Sequence, residues 1–333
     1  MKKTTKKTVT NKLKGKLLVI DGHNLLHRSF HKFANMRTRE GRPTGAIFGF
    51  FKSLTPLLYK YNPSRVIVVF DGDSRSKFRY KLHGEYKAGR VKLGGEKQSM
   101  MKQLKAIKKI LKYLGIDCIN DRKLVNDWEA DDYITYLVMN SPFKRNVILS
   151  SDKDFNQLLD NNTVIYNPNP KISQLVTMDN VFSLFGYEAS QTVDYLTLLG
   201  DVSDNIKGIP GYREKKSKEL LKKYHSLDMA IAKNGLVLPK AFPEDCDIME
   251  LILRNKQLID TKLHVTISSP FNGILPIDIS SRNNIDKKRL FPIIEKSALN
   301  SFLKPEFLDA YKQYNKFKTS WKKLESCWQG QAE

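Results

Sequence analysis

The stretch Leu17-Leu18-Val19-Ile20-Asp21 (LLVID) is a short apolar, β-branched run that leads straight into an acid. Two further runs repeat the arrangement: Val66–Phe70 runs into Asp71, and Val147–Leu149 reaches Asp152 after Ser150 and Ser151. The intervals between them are long enough to hold helices, which is the pattern of a parallel α/β sheet. In open sheets of this kind the ligand crevice lies at the carboxyl ends of the strands, so Asp21, Asp71 and Asp152 are expected on one rim.

Working outward, acids recur in tight clusters. Glu129-Ala130-Asp131-Asp132, Asp152-Lys153-Asp154 and Gly200-Asp201-Val202-Ser203-Asp204 each gather two or three. In extended chain Asp152 and Asp154 point the same way. Glu129 and Asp132 share a helix face at i, i+3, whereas Glu129 and Asp131 do so only with Glu129 at the helix start, outside helical geometry. A lone Asp-Gly after a strand is ordinarily a turn, and acids in a first helical turn are ordinarily solvated. Repetition at three strand ends calls for another reason. Like charges ~4 Å apart repel by roughly 4 kcal/mol at an effective dielectric of about 20, so cations must offset them. Magnesium, hard and oxygen-seeking, fits where no His/Cys set at zinc spacing exists, and two such ions activate water on a phosphodiester without a side-chain nucleophile.

Charge points to a polyanion. The 333 residues carry a net +22, concentrated in residues 1–16 (seven lysines, no acid), 73–112 (thirteen Lys/Arg, three acids) and 287–323 (ten and three). The 41% hydrophobic fraction is ordinary, and no apolar run reaches 18 residues, which excludes a helical membrane span. Three cysteines, Cys118, Cys246 and Cys327, are too few and too scattered for a disulfide framework or a zinc knuckle. The lysine-rich start lacks the apolar core of a secretory signal and the arginines of a mitochondrial one.

Residues 1–14 read as a disordered basic tail, 15–190 as the α/β core, 191–232 as a helix-hairpin-helix region and 233–333 as a C-terminal helical extension reached through a linker at 233–246. Within the core, Asp73–Gly95 lacks apolar periodicity and reads as a mobile loop or arch. Periodicity returns at Gln98–Leu114, where Met101, Leu104, Ile107, Leu111 and Leu114 share one face and Lys102, Lys105, Lys109 and Lys112 another. The arch is taken as 73–112. Lys207–Gly211 (KGIPG), between a helix at Asp194–Leu199 and a lysine-rich helix at Glu214–Tyr224, reads as the hairpin. Phe307, Tyr311, Tyr314 and Trp321 repeat at helical spacing, as core aromatics do.

Six ordered motifs carry a resemblance: VIDGHNLLHRSF (Val19–Phe30), VVFDG (Val68–Gly72), GEYKAGR (Gly84–Arg90), EADD (Glu129–Asp132), SSDKDFNQLL (Ser150–Leu159) and GDVSDNIKGIPG (Gly200–Gly211). The chain resembles the 5′ nuclease (flap endonuclease) superfamily, in particular bacteriophage-type 5′-3′ exonucleases and the 5′-exonuclease domain of bacterial DNA polymerase I. The fold so implied is a PIN-like, mostly parallel sheet flanked by helices, with a helical arch and a DNA-binding helix-hairpin-helix. The activity implied is structure-selective hydrolysis of DNA at 5′ flaps, branches and 5′ ends, in replication and repair. Asp21, Asp71, Glu129 and Asp131 are implied around a first Mg2+, and Asp152, Asp154 and Asp201 with Asp131 around a second, with Mn2+ as substitute and Asp132 and Asp204 auxiliary. Lys87, Arg90 and Tyr86 are implied to grip the scissile phosphate and frayed nucleotides, with Arg79 in the same work. Arg79, Lys102, Lys105, Gly208, Gly211, Lys215 and Lys216 complete the DNA contacts. The usual second glycine of the hairpin is replaced in Gly211-Tyr212-Arg213, which sets the implied K+ there against a changed loop. Replication proteins are the implied partners, without a recognisable docking motif, for a monomer in the cytoplasm of a bacterial or phage-infected cell.

Overall fold

The computed structural model describes residues 13–72, 76–89, 94–120, 128–169, 171–172, 175–238, 247–269 and 285–320. The elements in chain order are β1 (Leu13–Asp21), α1 (Gly22–Lys32), α2 (Gly45–Tyr61), β2 (Arg65–Phe70), α3 (Lys77–Leu82), α4 (Gly94–Leu114), β3 (Asp117–Asn120), α5 (Ala130–Met139), β4 (Phe143–Leu149), β5 (Thr163–Tyr166) and β6 (Leu175–Val176). Then follow α6 (Val181–Phe185), α7 (Thr192–Leu199), β7 (Gly200–Asp201), β8 (Ile206–Lys207), α8 (Glu214–Tyr224), α9 (Leu227–Ala232), α10 (Ile248–Ile259), α11 (Thr261–Ser268), α12 (Lys287–Lys296) and α13 (Pro305–Ser320).

The sheet runs β3-β2-β1-β4-β5-β6, with the first five strands parallel and β6 antiparallel. The three expected strands are its centre. Alternation along them splits the core: Leu18, Ile20, Val66, Val68, Val147 and Leu149 pack with α1, α2, α4, α12 and α13. Leu17, Val19, Ile67, Val69 and Ile148 pack on the other side with α5 and α11. A third cluster, around α7, α8, α9 and α10, also takes in Tyr86.

Several boundaries differ from expectation. Strand β1 begins at Leu13, inside the segment read as a tail, because Leu13 pairs with Phe143. Asp73–Gly95 is not loop throughout: Ser76 accepts the Arg79 N–H and starts α3, and α4 begins at Gly94. Nor does an arch extend to residue 112, since Met100, Leu104, Ile107, Ile110, Leu111 and Leu114 anchor α4 in the core while Lys102, Lys105, Lys109 and Lys112 stay exposed. Helices flank the hairpin as expected, α8 with the expected bounds and α7 beginning at Thr192 rather than Asp194. Those after the 233–246 stretch, whose residues 239–246 lie outside the described residues, divide: α10 and α11 pack on α7 and α5, α12 and α13 on α4 and α2. Phe307, Tyr311 and Tyr314 are core residues, with the Tyr314 hydroxyl accepting the Val66 N–H at 3.1 Å; Trp321 lies outside the described residues.

Candidate active site

Four of the acids are held by local devices. Asp21 ends β1 and caps α1, accepting the Asn24 N–H at 3.0 Å on one oxygen and the Ser150 hydroxyl at 2.9 Å on the other. This tight strand-to-helix turn needs Gly22, where a Cβ would lie 2.5 Å from the Phe70 ring and 2.7 Å from the Val69 carbonyl. Asn24 Oδ1 accepts both the N–H and the hydroxyl of Ser151, tying the carboxyl ends of β1 and β4 together. Asp71 accepts the Ala130 N–H at 2.9 Å, and its own N–H donates to His23 Nδ1 at 2.8 Å. Asp152 accepts the Asp154 N–H at 2.9 Å and caps a short 3-10 helix, Lys153–Leu158. The extended pairing expected of Asp152 and Asp154 is therefore replaced by a cap and its first turn. Asp201 Oδ1 accepts the Ser203 N–H at 2.7 Å in the β7–β8 turn.

Burial is the first cause of the shifted carboxyls, and mutual repulsion adds to it. Asp21 is pushed up to about 7, with Asp152 and Asp71 adding repulsion against its two hydrogen bonds. Burial likewise raises Asp131, beside Asp152, Asp21 and Asp71; Asp152, beside Asp201; and Asp154, beside Asp152 and Asp201. Six of the seven expected core acids thus sense one another across a single basin. Asp154 Oδ1 is buried with no hydrogen-bond partner. Among the described residues no three His, Cys, Asp or Glu gather closely enough to hold a metal ion by themselves.

Glu129 sits apart in kind. It precedes α5 in extended geometry (φ −96°, ψ 172°). Burial opposes its charge, but Arg79 and Lys87 outweigh that and hold its carboxyl below the usual range. Lys87 Nζ donates to Glu129 Oε2 at 2.7 Å and stands 3.8 Å from Asp204.

Packing turns three of the expected residues inward. Arg79 is 2% exposed and cannot reach a nucleic acid; its guanidinium forks onto Asp132 with two 2.7 Å bonds and lies 3.4 Å from Glu129. Asp132 is fully buried, and its oxygens accept from Arg79 and from the Glu129 N–H at 2.9 Å, so it braces the helix start. Tyr86 is 3% exposed, so it does not hold frayed nucleotides; its hydroxyl lies 2.9 Å from Glu129 and 3.0 Å from Asp204 and braces both. Arg90 lies outside the described residues. His23, Asn24, Ser150 and Ser151 are the brackets that sequence reasoning passed over, although all four flank the strand-end aspartates.

Beside the basin lies the hairpin. Gly208 is required there, since a Cβ would meet the Leu199 carbonyl oxygen at 2.3 Å, and Gly211 takes the left-handed region (φ 82°). Tyr212 is buried, its hydroxyl accepting the Val237 N–H at 2.8 Å, and Lys216 lies over its ring. Lys207, Arg213, Lys215, Lys216, Lys222 and Lys223 are exposed, forming a basic face.

Fold and site together define an α/β domain with an acid-lined basin at its strand ends and a helix-hairpin-helix beside it. The chain belongs to the 5′-3′ exonuclease family: residues 16–186 match the 5′-3′ exonuclease N-terminal resolvase-like domain, and residues 187–273 the 5′-3′ exonuclease C-terminal SAM fold. It is 34% identical over 253 residues to a 5′-3′ exonuclease of Aquifex aeolicus, covering 74% of this chain and 84% of that protein. It is 34% identical over 293 residues to the thermostable DNA polymerase I of Thermus aquaticus, covering 87% of this chain but 33% of that protein. The chain thus spans about a third of the polymerase it matches. The bacteriophage T5 D15 flap endonuclease, solved as a pseudo-enzyme-product complex with DNA and metal ions, shares the fold at a TM-score of 0.63 and 19% identity, over 85% of this chain and 99% of that one. Among the described residues no helix is long and apolar enough to cross a membrane.

Proposed function

We propose that the chain is a structure-selective 5′ nuclease that hydrolyses DNA phosphodiesters at 5′ flaps, branches and 5′ ends. The observation that carries this reading is the basin itself: Asp21, Asp71, Asp131, Asp152, Asp154 and Asp201 lie close enough for their charges to act on one another, with Lys87 near Asp131 and a basic hairpin following Asp201. An all-oxygen donor set in which burial and repulsion raise Asp21, Asp131, Asp152 and Asp154, and in which Asp154 Oδ1 is unpartnered, suits hard divalent cations. Mg2+, a hard ion that takes a few carboxylates and keeps several waters, fits such a donor set, with Mn2+ as its substitute. Asp21, Asp71, Glu129 and Asp131 would hold one ion, and Asp131, Asp152, Asp154 and Asp201 a second. When bound, the pair supplies an activated water and charge stabilisation for the leaving oxygen.

The chain's own groups do the rest. Lys87 supplies a point charge at the basin edge for the scissile phosphate, leaving Glu129 as it does so, while Tyr86 and Arg79 keep Glu129 in place. Lys215, Lys216 and the hairpin at Gly208–Gly211 bind duplex phosphates, and Lys102 and Lys105, exposed on α4, are available to further phosphates. Replacement at Asp201 tests the reading: a 5′-labelled flap DNA is incubated with Mg2+, with EDTA, and with Asp201→Asn. Release of a short labelled fragment by the wild-type protein with Mg2+ alone is expected. Retained binding without cleavage under any divalent ion would make the chain a DNA-binding protein.

A further inference from the structure

The segment that carries Lys87 does not stand alone; it is docked on the β7–β8 turn. The Lys87 N–H donates to the Asp204 carbonyl at 2.9 Å, and Asn205 Nδ2 donates to the Glu85 carbonyl at 2.9 Å. His83 Nε2 lies 2.8 Å from the Asn205 carbonyl, and the Tyr86 hydroxyl donates to Asp204 at 3.0 Å. At the centre of this contact two non-glycine residues both adopt left-handed backbone, Lys87 at φ 58° and Asn205 at φ 60°. Asparagine enters that region readily, whereas lysine does not. Lys87 is therefore held in its conformation by the turn, and that conformation delivers Nζ to Glu129.

The other end of the turn is equally constrained. Asn205 is followed directly by β8, whose Lys207 carbonyl accepts from Asn255 of α10 at 2.8 Å, and the Ile209 N–H donates to Leu198 of α7 at 2.8 Å. From there the chain enters the hairpin and the exposed basic face of Lys207, Arg213 and Lys215. The turn Asp201–Asn205 thus joins a surface built for duplex phosphates to the backbone of the lysine at the basin, and it carries Asp201 and Asp204 as well. Strain held in place by neighbouring contacts at such a junction marks a part whose position matters to function.

We propose that Asn205 is a positioning residue through which duplex on the hairpin face sets Lys87, so that cleavage of a 5′ end depends on duplex beside it. The proposal rests on the nuclease reading above. It makes the left-handed turn, rather than any added contact to DNA, the source of preference for a flap over a free single strand.

Single-turnover cleavage in Mg2+ is measured on a 5′ flap with downstream duplex and on a single strand of the same 5′ sequence. The proteins are wild type, Asn205→Val, Asn205→Gly, Lys87→Ala and the Lys87→Ala, Asn205→Val double variant, each with a melting curve and a dissociation constant for the flap in EDTA. Valine resists left-handed backbone and glycine accepts it, so Asn205→Val is expected to slow flap cleavage about 30-fold and Asn205→Gly less than about 5-fold. Asn205→Val should bind the flap within about 3-fold of wild type, lose less than about 3-fold on the single strand, and cost less than about 3-fold more in the Lys87→Ala background. Wild-type rates in Asn205→Val, equal slowing on both substrates, a glycine variant as poor as valine, or full additivity with Lys87→Ala would overturn the proposal. Normal cleavage by Lys87→Ala would remove the parent reading of Lys87 and the relay together. Normal dependence on Lys87 with a silent Asn205→Val removes the relay alone.

Discussion

At the scale of single residues, the basin stores repulsion that shows in its response to pH. The Asp21 carboxyl, held at about 7 in the folded protein against 3.8 for the free group, binds its proton more tightly folded than unfolded. Its contribution to stability is full below the unfolded value and is lost as pH rises through about 7. The raised Asp131, Asp152 and Asp154 act in the same direction. Protein in EDTA is accordingly expected to melt lower at pH 8 than at pH 5.5, with added Mg2+ raising the midpoint by about 5 °C or more at pH 8 and by less at pH 5.5. Equal Mg2+ increments at both values, read by differential scanning fluorimetry, would mean that these carboxylates do not meet the ion.

At the scale of elements, the hairpin is separable from the sheet in its consequences. Gly208→Ala must push the Leu199 carbonyl from its 2.3 Å approach, displacing the hairpin while leaving both faces of the sheet intact. Binding of a flap DNA should weaken by about tenfold or more while the melting midpoint falls by only a few degrees, a split that titration and thermal melting together would reveal. The same contrast explains what the residue order alone could tell. Strands β1, β2 and β4 were legible because they are continuous apolar runs, α4 because its periodicity is clean, and α7 and α8 because they flank the Gly- and Pro-marked hairpin. Strand β5 and the edges β3 and β6 were not, since Thr163–Tyr166, Asp117–Asn120 and Leu175–Val176 are too short to show a period. In the site, the acids announced themselves by repetition, whereas the inward turn of Arg79 and Tyr86 depends on α10 and α11 returning to cover α3, a contact made by residues some 180 positions away in the case of Leu258 and Arg79. A basic or aromatic residue in a charged loop carries no mark of which way such a return will face it.

At the scale of the whole molecule, the last helices are part of the core rather than an appendage. Leu290, Ile294, Phe302, Phe307, Leu308, Tyr311 and Tyr314 are buried against α2 and α4. At about 1.5–3 kcal/mol each, their burial matches or exceeds the roughly 5–15 kcal/mol net stability of a typical domain. A chain ended at residue 286 should therefore collect in the insoluble fraction or give a broad, non-cooperative melt, and a soluble, sharply melting product would refute this. The order of the sheet carries a consequence of another kind. Its central strand, β1, is made before the others, yet its neighbour β4 follows some 120 residues later and the Tyr314 hydroxyl that accepts the Val66 N–H of β2 comes later still. At roughly 5–20 residues per second, a ribosome exposes β1 for several seconds or more before its second partner exists. During synthesis the apolar LLVI run is thus a natural handle for chaperones, and the cell must keep it covered until the middle of the sheet can close.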